Sequence, residues 1–189
     1  MNIKSISLGK RILNDMSKPY IIAEIGVNHE GSMKTAKKLI ELAKEGGADA
    51  AKFQTYKAAS LASKNSPAYW DQSKEATDSQ FNLFKKYDGF EKQDYVELAE
   101  HCKKVEIDFV STPFDNDAIE TLDPLVPFFK IASADLTNIP FLRNIGTKKK
   151  TVVLSTGASN VTEIQNAINT LEKAGCENLI LLHCILNYP

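Results

Sequence analysis

No run of apolar residues in this chain is long enough to cross a bilayer, and residues 1–19 carry basic groups without the apolar centre of a secretory signal. Charge of one sign is also missing. The 23 Lys and Arg are dispersed among 24 Asp and Glu, which leaves no basic footprint for nucleic acid or an anionic membrane. Cysteine is sparse: Cys102, Cys176 and Cys184 stand at irregular spacing in apolar or helical contexts, which argues for reduced thiols over a disulfide framework. No G-x-G-x-x-G follows the first apolar run, so the usual dinucleotide signature is lacking. The expectation is a soluble cytoplasmic protein in which any bound phosphate must be gripped by local groups.

What is present is a globular composition, 43% hydrophobic and 25% charged, in a chain long enough for one core. Residues 20–26, 49–56, 108–113, 128–133, 151–156 and 178–186 read as short strands. Their near-continuous apolar character marks strands of a parallel sheet covered on both faces. Between them lie amphipathic helices. Ala36, Leu39, Ile40 and Ala43 form one i, i+3, i+4, i+7 stripe, ending at Gly46-Gly47. Tyr95, Leu98, Ala99 and Cys102 form a second, and Ile164, Ala167, Ile168 and Leu171 a third, with Asn160 and Glu163 as a capping pair. Shorter helices are expected over 116–125 and 138–145, and the basic run 148–150 reads as a solvated turn. Residues 57–89 form a long polar connection, with one further helix near 80–86.

Strand, helix, strand repeated in this way means α/β, either doubly wound or a (β/α) barrel. The polar residues bear on that choice. Glu24, Lys52 with Gln54, Ser111 with Thr112 and Asp115, Lys130 with Ser133 and Asp135, and Ser155 with Thr156 each stand at or near a strand's C-terminal end. In a barrel those ends ring one pocket. Lys52 and Lys130 lie inside apolar strands, where an ammonium needs an anionic partner. That partner is either Glu24 or Asp135 in a structural ion pair, or a small multiply charged anion such as a phosphate beside a carboxylate. The "STG" at 155–157 suits a phosphate at a helix start, and equally a plain turn and cap. Lys52 and Gln54 share a face by strand parity. Lys130 and Ser133 share one only if the strand ends or bulges near Ala132. Glu24 is expected to be buried, either paired with lysine or poised for proton transfer. His29 reads as a capping or packing residue, His183 as part of the last strand, His101 as surface and Cys184 as core.

The stretches "IAEIGVNHEGSMKTAKKLIELAKEGGADAAKFQTY", "STPFD", "KIASAD", "LSTGAS" and "LLHC" followed by "YP" closely resemble the N-acetylneuraminate (sialic acid) synthase family, including the legionaminate and pseudaminate synthases. The resemblance runs from about Lys18 to Pro189 with its motifs in order. It implies a TIM-type (β/α) barrel that condenses phosphoenolpyruvate with an N-acetylated hexosamine such as N-acetylmannosamine. The products are a nine-carbon 2-keto sugar acid and phosphate. It also implies a divalent metal, manganese or magnesium, and a homodimer.

By the same resemblance, Lys52, Thr112, Lys130, Ser133 and Ser155 would hold phosphoenolpyruvate, and Gln54 would meet the sugar. Glu24 would be the acid/base group, and Tyr188 would lie between both substrates. Sialate synthases often have Glu where Asp135 stands, which makes Asp135 a residue for the amino sugar. They read "NIYP" where this chain has "LNYP", which shifts Asn187, a phosphate contact, by one position.

A whole barrel takes about 250 residues. The expectation is therefore that 1–189 holds about six of eight βα units, with the family's metal-binding histidines and C-terminal antifreeze-like domain lying outside it. Two other readings stand beside the synthase. One is a Schiff-base aldolase in which a desolvated Lys130 attacks a carbonyl; the other is an inactive fragment of the synthase.

Overall fold

A computed structural model describes residues 5–186 of the chain. It opens with an antiparallel hairpin, β1 (Ile6–Leu8) and β2 (Arg11–Leu13). Six parallel-sheet strands follow: β3 (Ile22–Gly26), β4 (Ala50–Thr55), β5 (Asp108–Pro113), β6 (Phe129–Ile131), β7 (Val152–Ser155) and β8 (Leu179–Leu182). The ladders run β3-β4-β5 and β6-β7-β8, all parallel. β5 and β6 lie side by side, but no ladder joins them. Each strand thus neighbours its predecessor in the chain, an order that needs a helical crossover of constant hand between strands.

Helices α1 (Met33–Glu45), α4 (Lys92–Lys104), α5 (Asn116–Leu122), α6 (Ile139–Thr147) and α7 (Val161–Ala174) supply those crossovers. Their limits follow local chemistry. Ser32 caps α1 by accepting the Thr35 N–H, and the chain leaves that helix through Gly47 at φ +82°. Asn160 and Glu163 form a reciprocal capping box on α7, with bonds of 3.0 and 2.8 Å. Asp115, read from the sequence as a strand-end group, spends its carboxylate on the Ala118 N–H as the cap of α5. All three expected stripes face the sheet. Ala36 and Ile40, Tyr95, Leu98 and Cys102, and Ala167 and Leu171 are buried against the helix-facing strand residues Ala51, Phe53, Phe109, Phe129, Ile131, Val152 and Leu154. Full burial of each large side chain here contributes about 1.5–3 kcal/mol.

The opposite sheet face has a separate apolar layer of Ala50, Val110, Phe128 and Val153, with Leu8 of the hairpin packed on it. The hairpin is therefore a floor under the strand starts, and polar latches hold it there. Arg11 pairs with Asp49 at 2.9 Å, Thr151 donates to the Ser7 carbonyl, and Asp108 accepts both the Tyr20 hydroxyl (2.6 Å) and the Lys10 N–H (3.0 Å). The sequence reading had not anticipated β1 and β2. Strands of three residues carry too little alternation to register, although Gly9, at φ +55° in the turn, is the type of signal that marks one.

Several expected boundaries shift. The last strand stops at Leu182, well short of 186, leaving His183 outside it and exposed. Residues 57–89 contain two helices, α2 (Ala58–Leu61) and α3 (Gln80–Tyr87), and an antiparallel bridge from Pro67 to Ser79. Within the basic run, Lys150 is no loose surface residue. Its ammonium donates to the carbonyls of Asp123 and Val126, collecting acceptors left free beyond the end of α5. His101 is also no surface residue: its side chain is mostly covered where α1 meets α4, 3.4 Å from Glu41. Among the described residues no helix is long and apolar enough to cross a membrane.

Candidate functional site

Two residues beyond the apolar layer, on the same sheet face, the chemistry changes on four strands at once. Ala50 gives way to Lys52, Val110 to Thr112, Phe128 to Lys130 and Val153 to Ser155. Period-two geometry puts each polar side chain directly beyond its apolar neighbour, so the four meet in one polar layer at the C-terminal ends of the strands. Ile22 and Glu24 repeat the step on β3, where Glu24 registers with Lys52.

Lys52 and Lys130 are both buried, 7% and 8% exposed. The Lys52 ammonium pairs with the Glu24 carboxylate and donates to the Thr112 hydroxyl at 3.3 Å. Of the partners expected for a structural ion pair, Glu24 is thus realised. Asp135 pairs with neither lysine among the described residues. Lys130 donates to the Ser155 hydroxyl at 2.7 Å and to the Ile131 carbonyl at 2.8 Å. Burial, followed by repulsion from Lys52, lowers its pKa to about 8.

Glu24 corrects the sequence reading. Its side chain is 53% exposed, because β3 is an outer strand and no described strand covers its free edge. Half of its pairing with Lys52 therefore faces water. Gly26 lies beside it at φ +57°, and a Cβ there would come within 3.2 Å of Glu24 Oε1 and 3.7 Å of Gln54 Nε2. The bare backbone leaves these two side chains sharing one space. Gln54, half-buried and in register with Thr112, shares the Lys52 face as expected from parity.

β6 does end before Ala132, as the mixed parity of Lys130 and Ser133 required. A 3-10 turn, Ser133–Asp135, follows. The turn carries Ser133 to the β7–α7 loop, where its Oγ accepts the Gly157 N–H at 2.9 Å and lies 3.3 Å from Cys184 Sγ. A Cβ on Gly157 would meet that Oγ at 2.9 Å, so glycine is what permits the approach. Cys184, expected in the core, is only partly covered and belongs to this cluster. Burial pushes its thiol up, but bonds from Ser133, Ser155 and the Thr156 and Gly157 N–H groups outweigh that and lower its pKa. A signal for it was present in "LLHC", where Cys184 stands two residues beyond the end of β8, as other site groups stand at or just past their strand ends. Asp135 is buried in the same turn. Its Oδ1 accepts from Asn138 at 3.4 Å, its Oδ2 has no partner, and burial raises its pKa. Asn187 and Tyr188 lie outside the described residues.

His29 is a packing residue, as read. Its ring stacks on Phe90 at 4.2 Å, Nδ1 accepts the Gly31 N–H, and burial lowers its pKa. The folded form thus keeps a neutral ring that the unfolded chain protonates below about pH 6.5. Its contribution is complete above that pH and is lost as pH falls through it. Urea titrations at pH 7.5 and 5.5 are expected to show a loss of stability at the lower pH that is smaller in His29→Gln; an equal loss in both proteins would reject the assignment.

Cavities elsewhere do not compete for this role. One of about 580 Å³ lies near the strand starts, between α4 and the turn before β6. A second, of about 220 Å³, lies beside the β4 end between α4 and α5. Neither is lined by Lys52 or Lys130.

The fold and site define a parallel α/β protein whose strand ends carry one polar layer with two buried ammoniums, each beside a hydroxyl. Comparison with known proteins agrees. Residues 39–189 match the NeuB family model, and the chain belongs to the NeuB family. It is 42% identical to the N,N'-diacetyllegionaminic acid synthase of Campylobacter jejuni, over 92% of this chain and 53% of that one. The crystal structure of a sialic acid synthetase from Leptospira borgpetersenii in complex with citrate superposes with TM-score 0.86 at 34% identity, covering 99% of this chain and 61% of that chain. A truncated 3-deoxy-D-arabino-heptulosonate 7-phosphate synthase from Thermotoga maritima shares the fold at TM-score 0.68 and 15% identity. The chain spans about half the length of the curated relatives it matches.

Proposed function

We propose that this chain carries the phosphoenolpyruvate-binding walls of a sialic-acid-type synthase, which joins phosphoenolpyruvate to an N-acetylated hexosamine. The observation that carries this reading is the pair of buried ammoniums, Lys52 and Lys130, each with a hydroxyl beside it on the same polar layer. Phosphoenolpyruvate presents a phosphate and a carboxylate a few bonds apart, and two cations with separate hydroxyls match that pattern. In the reaction, C3 of phosphoenolpyruvate forms a bond to the aldehyde carbon of the open-chain sugar, and water adds at C2. The C2–O bond to phosphate then breaks, leaving the 2-keto acid and inorganic phosphate.

Within that scheme Lys52 and Lys130 neutralise the two anionic ends, with Thr112, Ser155 and Ser133 completing their hydrogen bonds. Glu24, on the open side with Gln54, exchanges protons with the incoming water and the sugar oxygen. Asp135 and Gln54 are assigned to the amino sugar, and Asn187 and Tyr188 to the substrates, through family membership. That membership also supports a manganese or magnesium ion, a homodimer and a cytoplasmic location for the intact protein. Among the described residues no three His, Cys, Asp or Glu side chains come together to hold a metal.

The six strands are read as successive walls of a (β/α) barrel of the eight-stranded type. Sequential strand order, the layered inner face and the hairpin floor support this. Among the described residues no strand pairs with the outer edges of β3 and β8, so the polar layer is open to water on the Glu24 side. The expected result is that this chain binds phosphoenolpyruvate by calorimetry yet releases no phosphate when N-acetylmannosamine and manganese are added. Phosphate release would overturn the second expectation, and absence of binding the first.

A further inference from the structure

The cleft of about 580 Å³ at the strand-start end has no part in the site above, since it lies at the opposite end of β5 from Thr112. One wall is α4, which presents Val96, Ala99, Glu100 and Lys103 at i, i+3, i+4, i+7 spacing, a single helix face. That face lies beside the stripe of Tyr95, Leu98 and Cys102 that packs on the sheet. The other walls are Ile107 and Phe109, around the start of β5, and the turn 124–127 that leads into β6. The cleft thus takes its surface from both sides of the β5–β6 junction, where no ladder joins the strands.

Two properties of the lining define what fits it. The first is apolar area left in water: Val96, Ala99 and Leu125 are only half-covered, next to the buried Ile107, Phe109 and Val126. An occupant that covers them gains hydrophobic free energy. The second is charge. Lys10 and Lys103 stand exposed at the cleft, and among the described residues neither pairs with a carboxylate. Of the two acidic groups there, Asp108 is committed to the Tyr20 hydroxyl and the Lys10 N–H, which leaves Glu100 alone against two lysines. An apolar surface rimmed by excess positive charge complements an apolar body with an anionic head.

We propose that this cleft binds a small amphipathic carboxylate, its apolar body on Val96, Ala99 and Leu125 and its head on Lys103 and Lys10. A cavity of about 150 Å³ is enough to hold benzene, so the space here admits a body of two rings or an aliphatic chain of similar size. The head stays at the rim, where both ammoniums remain solvated, so no charge has to be buried. Affinity then comes mainly from the covered apolar area, and the lysines select an acid over its neutral counterpart. Because its walls belong to both sides of the unladdered junction, the occupant bridges β5 to the approach of β6 and binds only a chain in which the two are assembled. The inference does not depend on phosphoenolpyruvate being the substrate.

The test titrates the full 189-residue chain with 1-naphthoate and with its uncharged counterpart 1-naphthalenemethanol, by calorimetry and thermal melts. Naphthoate is expected to bind roughly three- to tenfold more tightly than the alcohol. At ten times its Kd it should raise Tm by roughly 3–6 °C. Val96→Glu, at a half-covered position, should abolish binding by setting a carboxylate against the apolar body. Lys103→Gln, on the exposed rim, should remove most of the preference for the acid while leaving the melt of the unliganded chain unchanged. Lys104→Gln, exposed on the same helix but away from the cleft, should alter neither. Saturating phosphoenolpyruvate should leave naphthoate binding intact. Naphthoate binding that survives both Val96→Glu and Lys103→Gln, or that phosphoenolpyruvate displaces, puts the anion elsewhere and overturns the proposal. Equal affinity for acid and alcohol, or no binding of either, overturns it as well. Self-association that Val96→Glu abolishes, without naphthoate binding, assigns the cleft to a second copy instead. Phosphoenolpyruvate binding is read separately on the same preparation, so each idea can fail alone.

Discussion

Lys52→Met is expected to weaken phosphoenolpyruvate binding by about 30-fold to 1,000-fold, the loss that follows when one partner of a desolvated charge pair is truncated. Two effects add. The substitution removes a cation and its hydrogen bond to Thr112. It also releases Glu24, whose carboxylate then faces the anionic ligand without a partner. Stability should change much less, because Glu24 is already half-solvated and methionine fills the volume of the lysine stem. Calorimetry and thermal melts on the same sample separate these outcomes. Lys37→Met, which breaks the surface pair with Glu97, is the matched control and should leave binding unchanged. Full affinity in Lys52→Met would remove Lys52 from the site.

Gly9→Ala is expected to destabilise the chain by about 2–4 kcal/mol, lowering Tm by roughly 5–15 °C. Gly9 adopts φ +55°, and a Cβ there would overlap Asp108 Oδ2 at 1.8 Å and the Tyr20 hydroxyl at 2.7 Å. The carboxylate must swing away, breaking the bonds it accepts from Tyr20 and from the Lys10 N–H. Hydrogen bonds to a charged group contribute about 1.5–3 kcal/mol each, and the strained backbone adds about 1 kcal/mol or more. Part of the loss is recovered if Tyr20 finds water. Asp108→Asn should reproduce some of the effect without the steric overlap. An unchanged melt of Gly9→Ala would mean that the hairpin does not hold the strand starts.

These two residues also mark where the sequence was legible and where it was not. Lys52 could be read directly, because a cation inside an apolar strand has few physical explanations and strand parity places it beside Gln54. The break of β6 near Ala132 was legible for the same reason, since Lys130 and Ser133 could not otherwise meet. The hairpin was not, because its stability resides in long-range latches to Asp49, Asp108 and Thr151 rather than in any pattern of its own. Glu24 shows a different limit. Its strand was read correctly, but burial depends on what lies beside β3, and no local pattern encodes that. Lys150 was misread because the carbonyls it collects belong to a segment more than twenty residues earlier.

The unladdered junction between β5 and β6 divides the hydrogen-bonded sheet, though not the apolar core behind it, into two three-stranded halves. Lys52 and Thr112 stand on one half, Lys130 and Ser155 on the other. An anion seated among them would be a rivet, fastening by ionic and hydrogen bonds a seam that the backbone leaves unstitched. Occupancy and the mechanical unity of the two halves would then be one property measured in two ways.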